Sequence, residues 1–319
     1  MKKHPHINNI LNAVLFLALT VLVLWGLTKL TQPKYYFNSK FKTPEAEMWS
    51  GFYALPKNSV DVLFLGSSCA YCGFDAPTIA EETGKGVFTM ASSSAETYDI
   101  YYMLQEALRF QSPSTVVLEM DTITFEVFSY DVVYKRTYDN MRWSSVKLEA
   151  LKERNKHLYK PEALLNRFVP LIDYHSRWKE LTAIDFAPEH FRSVELGFVP
   201  CDIVGEDLSH NLFEQTGEVV IDETSIEYLD KIVSLCREKG IKLVLMRVPL
   251  ITWNRSWSEA VRSLAEERGL PYIDYNEPEN YMRVGIVDTK DWRDAYHLNK
   301  YGARKFVPVL LEDMKKYFQ

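Results

Sequence analysis

Two serines near the start of the chain, and an aspartate and histidine near its end, are the residues best suited to covalent chemistry. Ser67 and Ser68 close the run Val60-Asp61-Val62-Leu63-Phe64-Leu65-Gly66. A hydroxyl is a poor nucleophile until a base takes its proton, and an imidazole does so best when a carboxylate orients it. The strongest base is His297, within Asp294-Ala295-Tyr296-His297-Leu298-Asn299-Lys300-Tyr301-Gly302. A loop or first helical turn brings residues three apart together. Asp294 would then hold one ring nitrogen and leave the other to face a serine. The competing reading makes Asp294 a helix cap and His297 a polar loop residue.

A second chemistry competes for the same place. Cys69-Ala70-Tyr71-Cys72 is a Cys-x-x-Cys directly after Ser68. At a helix N-terminus such a pair can have a lowered thiol pKa and exchange disulfides. The alternative is two small residues packing a helix on a sheet. Tyr174-His175-Ser176-Arg177-Trp178 sets a His, an Arg and two aromatics within one short stretch, a combination that suits sugar stacking and bidentate contacts. It suits equally an amphipathic segment packed on the body. His157, His190 and His210 have no partners at metal-ligand spacing. No phosphate-cradling glycine loop or dinucleotide fingerprint is present, so neither metal nor cofactor is expected.

The elements that must position these groups read as alternating strands and helices. The run 60–65 is apolar enough for a strand buried on both faces, broken by Gly66. Further strands are expected at 86–90, 115–120, 241–246 and 271–274, with Asp121 just past the third. Helices are expected at 95–110, 224–239, 256–268 and 301–318. Strands alternating with helices pair in parallel through right-handed crossovers, so the fold class is α/β, a three-layer sandwich on a parallel sheet of about five strands. In such sheets ligands bind outside the carboxyl ends of the strands, where the two serines fall. Residues 125–217 lose the alternation and read as a helical and loop insertion.

The remainder is bounded by composition. With 47% hydrophobic and 25% charged residues in 319, the chain can bury one substantial core. A net charge of −6 gives no electrostatic case for nucleic acid. Residues 10–30 are almost free of charge and about long enough to cross a bilayer as a helix. Lys2 and Lys3 precede them, which puts residues 1–9 in the cytoplasm and the rest outside. Trp25-Gly26-Leu27-Thr28 offers no small-x-small cleavage site, and the run lacks the polar face of a core helix, so a retained anchor is the reading adopted. Residues 31–58, polar and carrying Pro33, Pro44 and Pro56, read as a tether holding at most one short helix. The body begins at 59.

Gly66-Ser67-Ser68 after a buried strand, together with Asp294-x-x-His297 before the final helix, resembles the SGNH (GDSL-like) hydrolase superfamily over roughly residues 60–319. The resemblance implies Ser68 as nucleophile, His297 as general base and Asp294 as orienting acid. The anchor and the Asp-x-x-His-Leu-Asn-x-x-Gly ending look more narrowly like membrane-anchored bacterial envelope proteins of teichoic-acid D-alanylation and polysaccharide O-acetylation. That implies acyl-ester chemistry on a cell-surface polymer, with a membrane-bound O-acyltransferase as partner. The family's oxyanion hole uses the nucleophile's N–H, a glycine and an asparagine. Here Ala91-Ser92-Ser93-Ser94 and Glu119-Met120-Asp121 stand in those places. Backbone N–H groups of Ser68 and near Ser93 are the candidate substitutes, since ionised Asp121 donates nothing; the competing reading makes Ser92–Ser94 a turn of small polar residues.

Overall fold

The computed structural model of the protein describes residues 5–34, 44–128, 131–157, 166, 169–187, 190, 192–205 and 213–318. His210 lies outside them. Five strands, β1 (Val62–Gly66), β2 (Val87–Ala91), β3 (Thr115–Glu119), β4 (Lys242–Arg247) and β5 (Tyr272–Asp274), form one sheet in the order β2-β1-β3-β4-β5. Every neighbouring pair is parallel. All residues of β1, β2 and β3 are buried, as apolar runs without alternation require when both sheet faces are covered. The cover comes from two groups of helices. On β1 and β2 lie α3 (Ser68–Gly73) and α4 (Ala76–Thr83), with the final helix Lys300–Met314 on both. α5 (Thr97–Leu108) and the helix Glu223–Glu238 form the other group, against β1 and β4.

Register decides which side chains meet at the carboxyl edge. Leu65 pairs with Leu118 and Leu118 with Leu245, so β1, β3 and β4 end nearly level. Gly66 and Glu119 therefore emerge side by side, and Arg247 follows Met246, the residue paired with Glu119.

The N-terminal helix α1 (Pro5–Thr31) holds an apolar stretch, Asn8–Thr31, whose most apolar 18 residues are not buried. It is long and apolar enough to span a membrane. The tether expected at 31–58 is corrected in part. Gln32 Nε2 donates to the Asp139 carbonyl at 2.7 Å, and the Arg177 guanidinium donates to the Thr31 carbonyl at 3.1 Å, so the helix end is held on the body. Pro44–Ala54 forms α2, a core helix, because Met48, Trp49 and Phe52 fall on one face. Trp49 is fully buried, stacks on Tyr53 and donates its indole N–H to the Thr137 carbonyl at 2.8 Å. Trp49→Phe leaves that carbonyl without a donor and a void beside it. It is expected to cost roughly 1–3 kcal/mol, read as a lower urea midpoint; an unshifted midpoint would return α2 to the role of a spacer.

The insertion is likewise part of the body. Tyr138, Met141 and Leu151, from the helices Asp131–Tyr138 and Ser145–Asn155 and the turn between them, are buried in the main core. Arg154 pairs with buried Glu96 at 3.3 Å, and His157 stacks on Phe128.

Candidate active site

The turn out of β1 is built around Ser67. Its backbone is extended (φ −87°, ψ −162°) and its hydroxyl accepts the Cys69 N–H at 3.2 Å, which starts α3 as an N-cap residue does. Ser68 is the first residue of that helix. Gly66 is needed because a Cβ there would lie 2.7 Å from the Ala70 Cβ and 2.8 Å from the Glu119 Cβ. Without it α3 could not sit so close to the sheet.

The partner loop is a two-strand antiparallel ribbon, β6 (Trp292–Asp294) and β7 (His297–Leu298), with Asp294 opposite His297. Asn299 locks it in place. Its carboxamide oxygen accepts the Tyr301 and Gly302 N–H groups and caps the last helix. Its amide nitrogen donates to the Lys290 carbonyl at 2.7 Å and the Trp292 carbonyl at 3.2 Å. Gly302 lets the helix approach, since a Cβ would meet the Asp291 carbonyl at 2.4 Å. Those contacts are what the Leu-Asn-x-x-Gly after His297 is for. Residues from the end of the insertion flank the ribbon, with Gly205 N–H on the Trp292 carbonyl and the Cys201 carbonyl accepting the Lys300 N–H.

The two motifs meet. His297 Nε2 lies 2.8 Å from Ser68 Oγ, and His297 Nδ1 lies 2.8 Å from Asp294 Oδ1. An ionised Asp294 accepts a hydrogen bond from Nδ1–H, leaving the Nε2 lone pair to accept from the Ser68 hydroxyl. Burial pushes the Asp294 carboxyl up, but the hydrogen bond and charge of His297, the Tyr296 N–H and Arg293 together hold it below the ordinary value. The pair's contribution to stability is therefore complete above pH about 3.9 and is lost as pH falls through a lower folded value. A carboxyl titration of Asp294 by NMR is expected to give a midpoint below about 3.9. A midpoint at or above it would remove the ion pair from this account.

Beneath the serine turn lies a charge cluster that sequence reasoning missed. Arg247, fully buried, pairs with fully buried Glu119, reaches Asp121 Oδ1 at 3.3 Å, and stacks over the Trp253 ring at 4.6 Å. Asp121 Oδ2 accepts the Ser67 hydroxyl at 2.8 Å and lies 3.5 Å from Cys69 Sγ, which is also 3.4 Å from the Tyr296 carbonyl. Cys69 thus touches both the serine turn and the histidine loop. Cys69, Glu119 and Asp121 stand close enough together to ligate a cation, but the Arg247 guanidinium already fills that role. Burial pushes the Asp121 carboxyl up, against the hydrogen bonds of Ser67 and Cys69 and the charge of His297. The only advance signal was an arginine ending an apolar strand, in Val244-Leu245-Met246-Arg247.

Other expectations are corrected. The Ser93 N–H, expected near an oxyanion, donates to Glu45 Oε1 at 2.8 Å, and the Ser93 hydroxyl donates to the same oxygen. Glu45 comes from α2, within the stretch expected to be a tether. Arg177 is buried against Asp185, with Oδ1 at 2.5 Å, and against α1, so it offers no face to a sugar. His175 Nδ1 is 2.8 Å from the Ile172 carbonyl, and Trp178 is exposed beside Lys179. All three belong to the junction with α1. Cys69 and Cys72 are free and buried; burial pushes both thiols up, Cys72 to about 12, the opposite of a reactive pair.

A serine relay at the carboxyl edge of a parallel α/β sheet is thus the class of site this chain presents. No protein-family model matches the chain, and no curated protein does. Several solved structures follow a similar course. One described as an acylhydrolase, from Bacteroides fragilis NCTC 9343, is 13% identical over 85% of this chain and 95% of its own, with a TM-score of 0.42. A GDSL-like lipase from Bacteroides thetaiotaomicron VPI-5482 is 12% identical over 87% and 99%, TM-score 0.40. Axe2, an acetylxylan esterase from Geobacillus stearothermophilus, is 13% identical over 81% and 95%, TM-score 0.38. Identities this low bear on the course of the chain alone, and nothing about substrate passes from those enzymes to this one.

Proposed function

We propose that this chain is an extracytoplasmic acyl-ester enzyme, an esterase or acyltransferase, held at the membrane by α1. The observation that carries the reading is the continuous relay Ser68–His297–Asp294, both links at 2.8 Å. In it, Ser68 Oγ attacks the ester carbonyl while His297 Nε2 takes the hydroxyl proton. The acyl–Oγ bond forms, the ester C–O bond breaks, and His297 returns the proton to the departing alcohol. Water or a second hydroxyl then gives a proton to His297 and takes the acyl group, restoring Ser68. Hydrolysis and transfer differ only in that acceptor. On the motif resemblance, the esters are of O-acetyl or D-alanyl type on a cell-envelope polysaccharide or teichoic acid. A membrane-bound O-acyltransferase is the proposed partner.

A fluorophosphonate tests the relay directly, because an Oγ–P bond forms as fluoride leaves. Intact mass of a chain comprising residues 44–319 is expected to show one adduct, on Ser68, absent from His297→Ala. The absence of any adduct would favour a second reading, a module that binds a glycan or an acyltransferase without turnover. What favours that reading is specific: the Ser93 N–H is taken by Glu45, and Asp121 places a carboxylate beside the nucleophile turn.

A further inference from the structure

We propose that the junction between α1 and the body is a binding site for an anionic glycerophospholipid. The inference rests on α1 spanning the membrane, as the proposed function has it.

Two cavities of about 460 Å³ each meet at this junction and share Lys29, Asn140 and Arg142. One runs along α1 and is mainly apolar, walled by Val21, Leu24 and Trp25 on the helix and by Trp143 and Pro170 on the body. The other carries Lys29, Arg142 and Arg192, with Lys34, whose ammonium donates to the Asp185 carbonyl at 2.9 Å, against a single carboxylate, Glu47. That carboxylate is already committed, accepting the Ser193 and Val194 N–H groups at 2.6 and 2.8 Å. An apolar channel opening into a cationic pocket has the polarity of a lipid with a phosphate headgroup.

Location selects a bilayer lipid over a soluble anion. Val21, Leu24 and Trp25 are exposed and lie in the stretch that would cross the membrane, so the apolar cavity opens to acyl chains. Trp25 and Trp143 are both more than half exposed at this level, where indoles favour the membrane–water boundary. The Arg142 guanidinium lies 4.2 Å over the Tyr53 ring. Stacking uses the face of the guanidinium and leaves its edge donors in the geometry that grips a phosphate. In the apolar cavity the acid is Asp139, whose Oδ2 accepts the Tyr174 hydroxyl at 2.7 Å. The buried cation there is Lys147, which donates to the Tyr138 and Met141 carbonyls. These internal bonds leave the shared pair Lys29 and Arg142 to define the headgroup end.

The test uses the full chain released from micelles in native mass spectrometry, with phosphatidylglycerol or phosphatidylcholine added. One phosphatidylglycerol is expected to be retained about tenfold over phosphatidylcholine, with the preference lost in Lys29→Gln/Arg142→Gln and kept in Arg142→Lys. Equal retention of both lipids, or a double variant that keeps the preference, would overturn the proposal and leave the anchor untouched. A benzoylphenylalanine replacing Trp143, irradiated in cells, is expected to give a lipid-mass adduct. A discrete protein adduct would assign the groove to a partner's helix instead. Recovery of the chain from cells with α1 cleaved off would remove one wall of the site, and the anchor reading with it.

Discussion

Ser68→Ala and His297→Ala are each expected to lower turnover of an activated acetyl ester by on the order of 10⁶-fold, equivalent to about 8 kcal/mol of transition-state stabilisation. The size follows from the relay acting as a unit. Without His297 the Ser68 hydroxyl keeps its proton, and without Ser68 no oxygen stands 2.8 Å from Nε2 to be activated. The double variant is therefore expected to be no worse than either single one. Asp294→Asn is expected to fall less, about 10⁴-fold, because the imidazole stays in place while losing the acceptor that holds its Nδ1 proton. Steady-state kinetics on the parent and the four variants decide the matter. Turnover within tenfold of the parent in Ser68→Ala would move the chemistry elsewhere.

The second large effect falls on stability. Arg247→Ala is expected to cost about 3–5 kcal/mol, since it strands Glu119, and Asp121 beside it, without their cation in the dry edge of the sheet. Arg247→Lys restores charge but not the fork that reaches both acids, and should fall between. Arg247→Met with Glu119→Gln removes most of the unpaired charge and should recover part of the loss, because a neutral buried set can replace an ion pair at small net cost. Urea denaturation reads all three. An Arg247→Ala protein as stable as the parent would mean the cluster does not hold this edge together. A functional readout accompanies the structural one: Asp121 holds the Ser67 hydroxyl, so a loosened cluster is expected to slow Ser68 labelling by fluorophosphonate even where the protein stays folded.

Much of this was legible in the linear chain, and the reason is periodicity. Unbroken apolar runs at 62–65 and 116–118, too short for helices and bounded by turn residues, read as strands buried on both faces, and the helices between them favour parallel pairing. Strand and helix positions agree with the expectation to within a few residues. The serine and histidine motifs could be read because each is local: a glycine break after a strand, and an acid and a base three apart before a helix. What the chain order hid was everything made by contact at long range. α2 reads as a spacer because it lies in a proline-marked stretch outside the strand and helix alternation, yet Trp49 and Phe52 enter the main core and Glu45 takes the Ser93 N–H. The aromatic and basic stretch at 174–178 looked like a sugar platform because residue type says nothing about which neighbour arrives first. Arg177 met Asp185 and Thr31.

The amino-acid sequence by itself determined the class of sheet, the place of Ser67 and Ser68 at its carboxyl edge, and the apolar helix at the start. These follow from local pattern and from the few ways strands and helices can be connected. Only the tertiary structure decided that Ser68 and His297 stand at hydrogen-bonding distance and that Arg247, Glu119 and Asp121 underlie them. It also decided that both cysteines are sealed in the core. Each of these depends on register and on the depth at which a side chain is buried. A charge or thiol takes its chemical character from the groups that displace its water, and those groups lie far away in the chain.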